Sequence, residues 1–184
     1  MFDERQILQQ IKQGKRNAFS ALVKQYEKLV FHVVQRIVLR PEDVEDISQE
    51  VFIKVYKRLD TFCFDSKLAT WIARIAYLTA IDYLRKFPPD TLPFEQAIDQ
   101  LYFTHETPEQ VLIQTDATRY IQKLIESLPE SYRIVLTLYH LDEFSYSEIE
   151  HITGMPSGTV KNYLFRARKL LKDKLSSSLN DDLR

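Results

Sequence analysis

The scarcity of glycine is the sequence feature that most restricts how this chain can fold. Only Gly14, Gly154 and Gly158 occur in 184 residues, whereas average proteins contain about 7% glycine. Turn-rich β folds and phosphate-binding loops use glycine where the backbone needs a positive φ. Apolar residues make up 45% of the chain and charged residues 28%, so the chain can bury a core and is not dominated by disorder. The sequence therefore predicts an all-α fold.

The distribution of charge divides the chain into segments, although the net charge is only −1. Residues 1–87 contain 15 basic (Lys and Arg) and 11 acidic (Asp and Glu) residues. Residues 88–117 contain no basic and six acidic residues, and residues 118–184 contain ten basic and nine acidic residues. The middle segment opens with two prolines and is predicted to be an acidic linker between two small helical domains. A surface loop with a short helix of its own is the alternative. The predicted boundaries are 1–87 and 118–175 for the domains, 88–117 for the linker and 176–184 for a polar tail.

Apolar spacing and capping residues predict the helices that matter for function. In the first domain a middle helix is expected over Val44–Leu59, and Pro41 fits its first turn. A third helix is expected over Thr70–Lys86, with a loop over Asp60–Ser66 between the two. In the second domain, Ser145 and Glu148 have capping-box spacing and Gly154 marks the stop of the same short helix. A last helix is expected from Ser157 to about Leu175.

The two C-terminal helices have the spacing of a helix-turn-helix, whose second helix enters the DNA major groove. One side of that helix carries an apolar stripe of Val160, Leu164, Ala167, Leu171 and Leu175. The opposite side carries Lys161, Asn162, Phe165, Lys169 and Lys172. An aromatic ring in a basic, solvent-directed face has no core to enter. Phe165 is expected to meet a thymine methyl, Lys161 and Asn162 to reach base edges, and the nearby arginines to contact phosphates. The alternative is an ordinary solvated amphipathic helix.

The middle helix of the first domain carries an isolated apolar residue on its polar side. Ile53 is surrounded there by Asp46, Gln49, Glu50 and Lys54. An apolar anchor with a polar rim is typical of a protein interface. A solvated helix face with one exposed isoleucine is the equally simple interpretation.

Other features exclude whole classes of function. Cys63 is the only cysteine, so neither an intramolecular disulfide nor a Cys-based zinc site can form, and a redox role for it is a minor alternative. The four histidines are scattered and no glycine-rich phosphate loop occurs, so we expect no metal, no cofactor and no enzyme activity. The longest uncharged run, 151–160, is shorter than the ~18 residues of a membrane span. A protein without membrane insertion, located in the cytoplasm, is expected.

Several segments together resemble a known family. "EDISQEVF" in the middle helix, "TWIARIAYLTAIDYLRK" in the third, and "GTVK" followed by "RAR" in the last helix resemble, in order and spacing, the extracytoplasmic function (ECF) sigma factors of the sigma-70 family. The likeness covers nearly the whole chain. It implies region 2 over 1–87 and region 4 over 118–175, joined by a flexible linker. It also implies a transcription initiation factor that binds core RNA polymerase, double-stranded promoter DNA and the melted minus-ten strand, and that is held inactive by an anti-sigma factor.

The resemblance assigns roles to three surfaces. The docking face would bind polymerase and comprises Asp46, Gln49, Glu50, Ile53 and Lys54. The minus-ten surface would capture a flipped base and comprises Phe62, Phe64, Asp65, Ser66, Lys67 and Arg74. The recognition surface would read the minus-thirty-five element and comprises Ser157, Thr159, Lys161, Asn162, Phe165, Arg166 and Arg168.

Departures from the family pattern affect the DNA sequence that would be read. Tyr77 and Leu78 stand where many members carry a basic residue and an asparagine, and Tyr163 and Phe165 replace a frequent arginine and histidine. Base preferences therefore cannot be copied from relatives. A polymerase-independent helix-turn-helix regulator is the alternative function, because it explains the C-terminal helices equally well.

Overall fold

The computed structural model describes residues 3–38, 40–87, 121 and 124–181, with side chains as far as 176. Seven α-helices are assigned in these ranges and no strand occurs among them. They are α1 (Glu4–Lys12), α2 (Arg16–Gln35), α3 (Pro41–Arg58), α4 (Leu68–Lys86), α5 (Glu130–His140), α6 (Tyr146–Thr153) and α7 (Ser157–Asp181). None of these helices combines the length and apolar character needed to cross a membrane. The predicted linker, 88–117, lies outside the described residues.

The first domain is a bundle in which α2, α3 and α4 pack against one another and α1 packs on α2. Pro41 opens α3 in its first turn, as predicted. Leu22, Val51 and Ile72, one from each main helix, are fully buried, and each such side chain contributes about 1.5–3 kcal/mol of burial free energy. The pattern did not predict α1, whose Leu8 and Ile11 close one end of this core.

The second domain has the predicted helix-turn-helix. The Ser145 hydroxyl accepts from the backbone N–H of Glu148, and the Glu148 carboxylate accepts from the Ser145 N–H at 2.8 Å. Gly154 ends α6 in the left-handed region, with φ of +75°. On α7, Val160, Leu164 and Ala167 of the predicted stripe are buried, whereas Leu171 and Leu175 at its end are half-buried. Both capping predictions are thus confirmed, and the stripe is confirmed over its first three residues.

The two domains pack directly against each other. α4 is covered on one side by α2 and α3 and on the other by α6, and α5 contacts α2. This arrangement explains why α4 is apolar almost all round. It also places helices of the second domain against the surface expected to bind the minus-ten element, which the sequence did not predict.

Candidate protein- and nucleic-acid-binding surfaces

The docking face on α3 presents Ile53 to solvent. Its side chain is 53% exposed, and Asp46, Gln49 and Glu50 around it are exposed as well. Lys54 is the exception, because its ammonium pairs with Glu50 at 2.8 Å and lies 3.3 Å from the Thr79 hydroxyl of α4. The docking face therefore has an apolar centre and a polar rim, and in that rim the Lys54 side chain is held in place by Glu50 and Thr79.

Tyr56 extends this face beyond the predicted residues. It lies one turn after Ile53, is 56% exposed, and packs edge-on against Phe19 of α2 with ring centroids 5.0 Å apart. The i, i+3 spacing from Ile53 was the available signal. With Tyr56 included, the exposed apolar strip extends over about one turn of α3.

The two phenylalanines of the loop between α3 and α4 differ in how far their side chains are exposed. Phe62 is buried, with its ring 5.4 Å from Trp71 and 4.8 Å from Phe64. Phe64 is 45% exposed and has a φ of +61°, a conformation that bulky side chains rarely adopt. Of the two predicted ring positions, Phe62 therefore supports the loop from below, and Phe64 offers its ring to solvent.

Helix α6 contacts the basic part of the minus-ten surface. Glu148 forms an ion pair with Lys67 at 3.0 Å and accepts a hydrogen bond from the Thr70 hydroxyl at 3.3 Å. Arg74 donates to the backbone carbonyl of His151. Two of the cations expected to meet DNA are thus engaged by the second domain. Asp65 is exposed, and both Asp65 and Ser66 line a small cleft of about 280 Å³ at the same junction.

The Glu148 carboxylate belongs both to the contact between α6 and α4 and to the N-terminal cap of α6. Burial raises the pKa of its carboxyl, but the hydrogen bonds from Ser145 and the ion pair with Lys67 outweigh burial and lower the pKa to about 2. Glu148 is therefore charged at neutral pH. One carboxylate serves both the helix cap and the contact between domains.

A second polar contact between the domains is buried. The Arg133 guanidinium of α5 donates from Nε to the Arg36 carbonyl at 2.7 Å and from Nη1 to the Glu126 carbonyl at 3.0 Å. Arg36 lies 3.6 Å from the Glu126 carboxylate. Burial lowers the pKa of both arginines, and Glu126 offsets the charge of Arg36. Nearby, His32 and Asp142 approach to 3.4 Å across the same boundary.

The recognition surface on α7 is open. Phe165 is 68% exposed, the largest exposed fraction of the apolar side chains recorded for the described residues. Lys161, Asn162 and Arg166 on the same helix are exposed, whereas Ser157 and Thr159 at its start are half-buried. This placement agrees with the predicted recognition helix, in which an aromatic ring stands among polar and cationic groups.

The aromatic residues behind α7 are functional neighbours that the sequence analysis missed. The Arg168 guanidinium lies over Tyr139 at 5.2 Å and donates from Nε to His140 at 3.2 Å. Lys161 lies 6.0 Å from the Tyr146 ring, which stacks on Tyr139. Burial and the neighbouring Arg168 lower the pKa of His140, so its ring is neutral at neutral pH and can accept this bond. Because these partners come from α5 and α6, no local spacing pointed to them.

Family models match both halves of the chain. The model of sigma-70 region 2 matches residues 22–86, and the model of sigma-70 region 4 matches residues 118–171. The first includes α3, α4 and the loop between them, and the second includes α5, α6 and the recognition surface of α7. These are the elements that carry the three candidate surfaces.

Relatives match over nearly the whole chain. The ECF RNA polymerase sigma-E factor of Escherichia coli is 36% identical over 92% of each chain. The sigma factor SigW of Bacillus subtilis is 34% identical over 91% of this chain and 94% of its own length. The solved structure of CnrH in complex with the cytosolic domain of CnrY has a TM-score of 0.67 at 20% identity, and covers 95% of this chain and 97% of that one. RpoE of Bartonella quintana, solved with the anti-sigma factor NepR, also has a TM-score of 0.67, at 19% identity over 86% of this chain and 96% of that one. The chain belongs to the ECF group of sigma-70 family RNA polymerase sigma factors.

Proposed function

We propose that this protein binds core RNA polymerase in the cytoplasm and directs it to promoters through minus-ten and minus-thirty-five elements, without catalysing a reaction itself. The observation that carries the proposal is the presence of two outward-facing apolar side chains with polar surroundings. Ile53 stands on a region-2 helix, and Phe165 stands on the second helix of a helix-turn-helix. Each is the kind of anchor that a macromolecular partner covers.

The docking face supports binding to a protein rather than to DNA. Asp46, Gln49 and Glu50 give its rim acidic and amide groups, which would repel a phosphate backbone. Ile53 and Tyr56 provide apolar area at its centre. A partner with a complementary basic rim around an apolar groove would bury both side chains.

The recognition surface supports binding in the major groove. Phe165 can contact thymine methyl groups, while Lys161 and Asn162 can hydrogen-bond base edges. Arg166 and Arg168 are suited to the flanking phosphates. With a net charge of −1, the free protein lacks the basic field that allows tight DNA binding alone, so polymerase is needed to raise its effective concentration at the promoter.

The loop supports capture of one unpaired base. Phe64 offers an exposed ring on which a base can stack, and such stacking contributes about 1–3 kcal/mol per base. Lys67 and Arg74 follow the loop in sequence and can bind the strand's phosphates once they are released from Glu148 and His151. Extruding a base costs a few kcal/mol, so stacking offsets much of that cost.

The packed arrangement of the domains must open for both elements to be read together. The elements lie about 25 base pairs apart, which is ~85 Å of DNA, whereas a compact chain of this length has a radius of gyration of only ~16 Å. The 33 residues between Phe87 and Ile121 can extend to ~110 Å. We infer that the two domains separate when polymerase binds them.

Control by an anti-sigma factor is part of the proposal. The Bartonella relative was solved with an anti-sigma factor. A partner that stabilises the contact between α4 and α6 would keep Lys67 and Arg74 away from DNA. The same partner would have to release this contact before transcription starts.

A charged substitution at the docking face tests polymerase binding. Ile53→Arg places a cation at the centre of the apolar strip and is expected to weaken binding to core polymerase at least tenfold, because truncating an interface anchor costs about 2 kcal/mol or more. Phe31→Arg is the matched control, since Phe31 is a similarly exposed apolar residue on α2. Unchanged binding of Ile53→Arg would contradict the docking assignment.

Alanine substitutions on α7 test promoter reading. Lys161→Ala with Arg166→Ala is expected to reduce promoter-dependent transcription at moderate salt, and Lys172→Ala, another exposed cation on the same helix, is expected to change it little. Full activity of the double variant would contradict the recognition assignment. Tight, specific DNA binding by the protein alone in a gel shift would favour the polymerase-independent regulator instead.

A further inference from the structure

A cation from α1 lies on the exposed ring of the minus-ten loop. The guanidinium carbon of Arg5 is 5.1 Å from the centroid of Phe64. Phe64 is held outward in a left-handed backbone conformation, which is costly for a bulky residue and typical of functional loops. Any base that stacks on Phe64 must therefore meet Arg5.

The position of Arg5 is fixed by the rest of its helix. Leu8 is buried against the core, and the neighbouring Glu4 accepts a hydrogen bond from the Tyr26 hydroxyl at 2.7 Å. At the other end of α1, Lys12 pairs with Asp60 at 3.6 Å. These contacts join α1 both to α2 and to the segment that leads into the loop, so Arg5 is held beside Phe64.

The guanidinium lies at the end of a series of aromatic contacts in which neighbouring rings are tilted against each other. Trp71 contacts Phe62 at 5.4 Å, Phe62 contacts Phe64 at 4.8 Å, and Arg5 lies beyond Phe64. Planar guanidinium groups stack on nucleobases as they do on aromatic rings. At 5.1 Å the guanidinium is too close to the Phe64 ring for a base to lie between them. An unpaired base on Phe64 would have a partner on each face once the Arg5 side chain moves outward onto it.

We propose that Arg5 is a further nucleotide-binding residue, whose guanidinium moves from the Phe64 ring onto the base captured by the loop. The inference rests on the proposed function, in which Phe64 stacks on an unpaired base of the melted strand. In the free protein Arg5 lies over the ring, which stays partly exposed. In the open promoter complex α1 and the loop hold the base from opposite sides.

The test compares single-stranded oligonucleotides bound to the reconstituted holoenzyme. One oligonucleotide carries the minus-ten sequence found by mapping transcripts, and the other has an abasic site in place of the captured base. Arg5→Gln is expected to weaken binding of the intact strand about two- to fivefold, as for loss of one exposed cation–π contact, and to leave binding of the abasic strand unchanged. Arg16→Gln, which removes an exposed cation from α2, is the matched control with no expected effect on either strand.

Arg5→Lys separates stacking from charge. Lysine keeps the charge and the helix propensity of α1 but has no plane to stack, so this variant is also expected to bind the intact strand less tightly. Full affinity of Arg5→Lys, or an equal loss by Arg5→Gln on both strands, would show that only charge acts and would overturn the proposal. Wild-type protein that does not distinguish the two strands would instead refute base capture by the loop itself.

Discussion

The contact between Glu148 and Lys67 allows a direct prediction about opening of the two domains. Glu148→Gln removes the charge of the carboxylate while keeping a side chain that can serve the capping box of α6. The variant therefore loses the 3.0 Å ion pair with Lys67 but retains the helix-turn-helix. Any change in domain packing is then attributable to the contact between domains.

The expected size of the effect follows from exposure. The Lys67 side chain is 76% exposed and that of Glu148 only 18%, so water screens one partner well and the other poorly. Measured values for exposed pairs lie at about 0.2–1 kcal/mol, and the shielded carboxylate places this pair near the upper end. A loss of about 1 kcal/mol corresponds to a roughly fivefold increase in the opening equilibrium constant.

Thiol labelling measures this opening. Thr70 is 1% exposed at the contact, so a Thr70→Cys thiol in a Cys63→Ser background reacts only when α6 leaves α4. We expect its labelling rate to rise about fivefold with Glu148→Gln, and we expect added salt to reduce the difference. Asp82→Asn is the control, since it breaks the exposed ion pair between Asp82 and Arg85 within α4. Equal rates for Glu148→Gln and the parent, or the same increase with Asp82→Asn, would refute the reasoning.

Three further predictions concern stability and binding. The folded pKa of Glu148 is about 2 against an ordinary value of 4.5, so its stabilising contribution is complete above pH ~4.5 and is lost as the pH falls toward 2. In this range the thermal midpoint of the wild type should fall more steeply than that of Glu148→Gln. Parallel curves of thermal midpoint against pH would contradict the role assigned to Glu148. Gly154→Ala should lower the free energy of unfolding by about 1–2 kcal/mol, because φ at this residue is +75°. Gly158→Ala has open space around the new Cβ and should be neutral or slightly stabilising. Equal melting curves for the two variants would show that the C-cap conformation is unimportant. Tyr56→Asp should weaken polymerase binding in the same direction as Ile53→Arg, measured by co-elution with core polymerase, and unchanged co-elution would exclude Tyr56 from the docking face.

Local signals in the sequence were sufficient for the helices and their ends. The capping box at Ser145, the stop at Gly154 and the first-turn position of Pro41 each depend on a few adjacent residues, and the structure confirms all three. Phe165 was expected to face solvent because its position on the helix wheel opposes the apolar stripe, and it does. The family likeness is the source of the roles proposed for these surfaces.

Contacts between distant residues could not be predicted in this way. Glu148 and Thr70 are 78 positions apart, and nothing in either segment indicates the other as its partner. The different burial of Phe62 and Phe64 depends on the backbone conformation at Phe64, which has no local sequence signature. The packing of α6 on α4 therefore became visible only in the folded chain.

Transcription by purified core RNA polymerase, with and without this protein, on a supercoiled pool of genomic fragments tests the central claim most directly. We predict transcripts that start only when the protein is present and that share upstream motifs near positions minus ten and minus thirty-five. Ile53→Arg, with its altered docking face, should abolish these starts. The absence of new starts, together with no co-elution of the wild-type protein with core polymerase, would contradict the assignment of a promoter-specificity subunit.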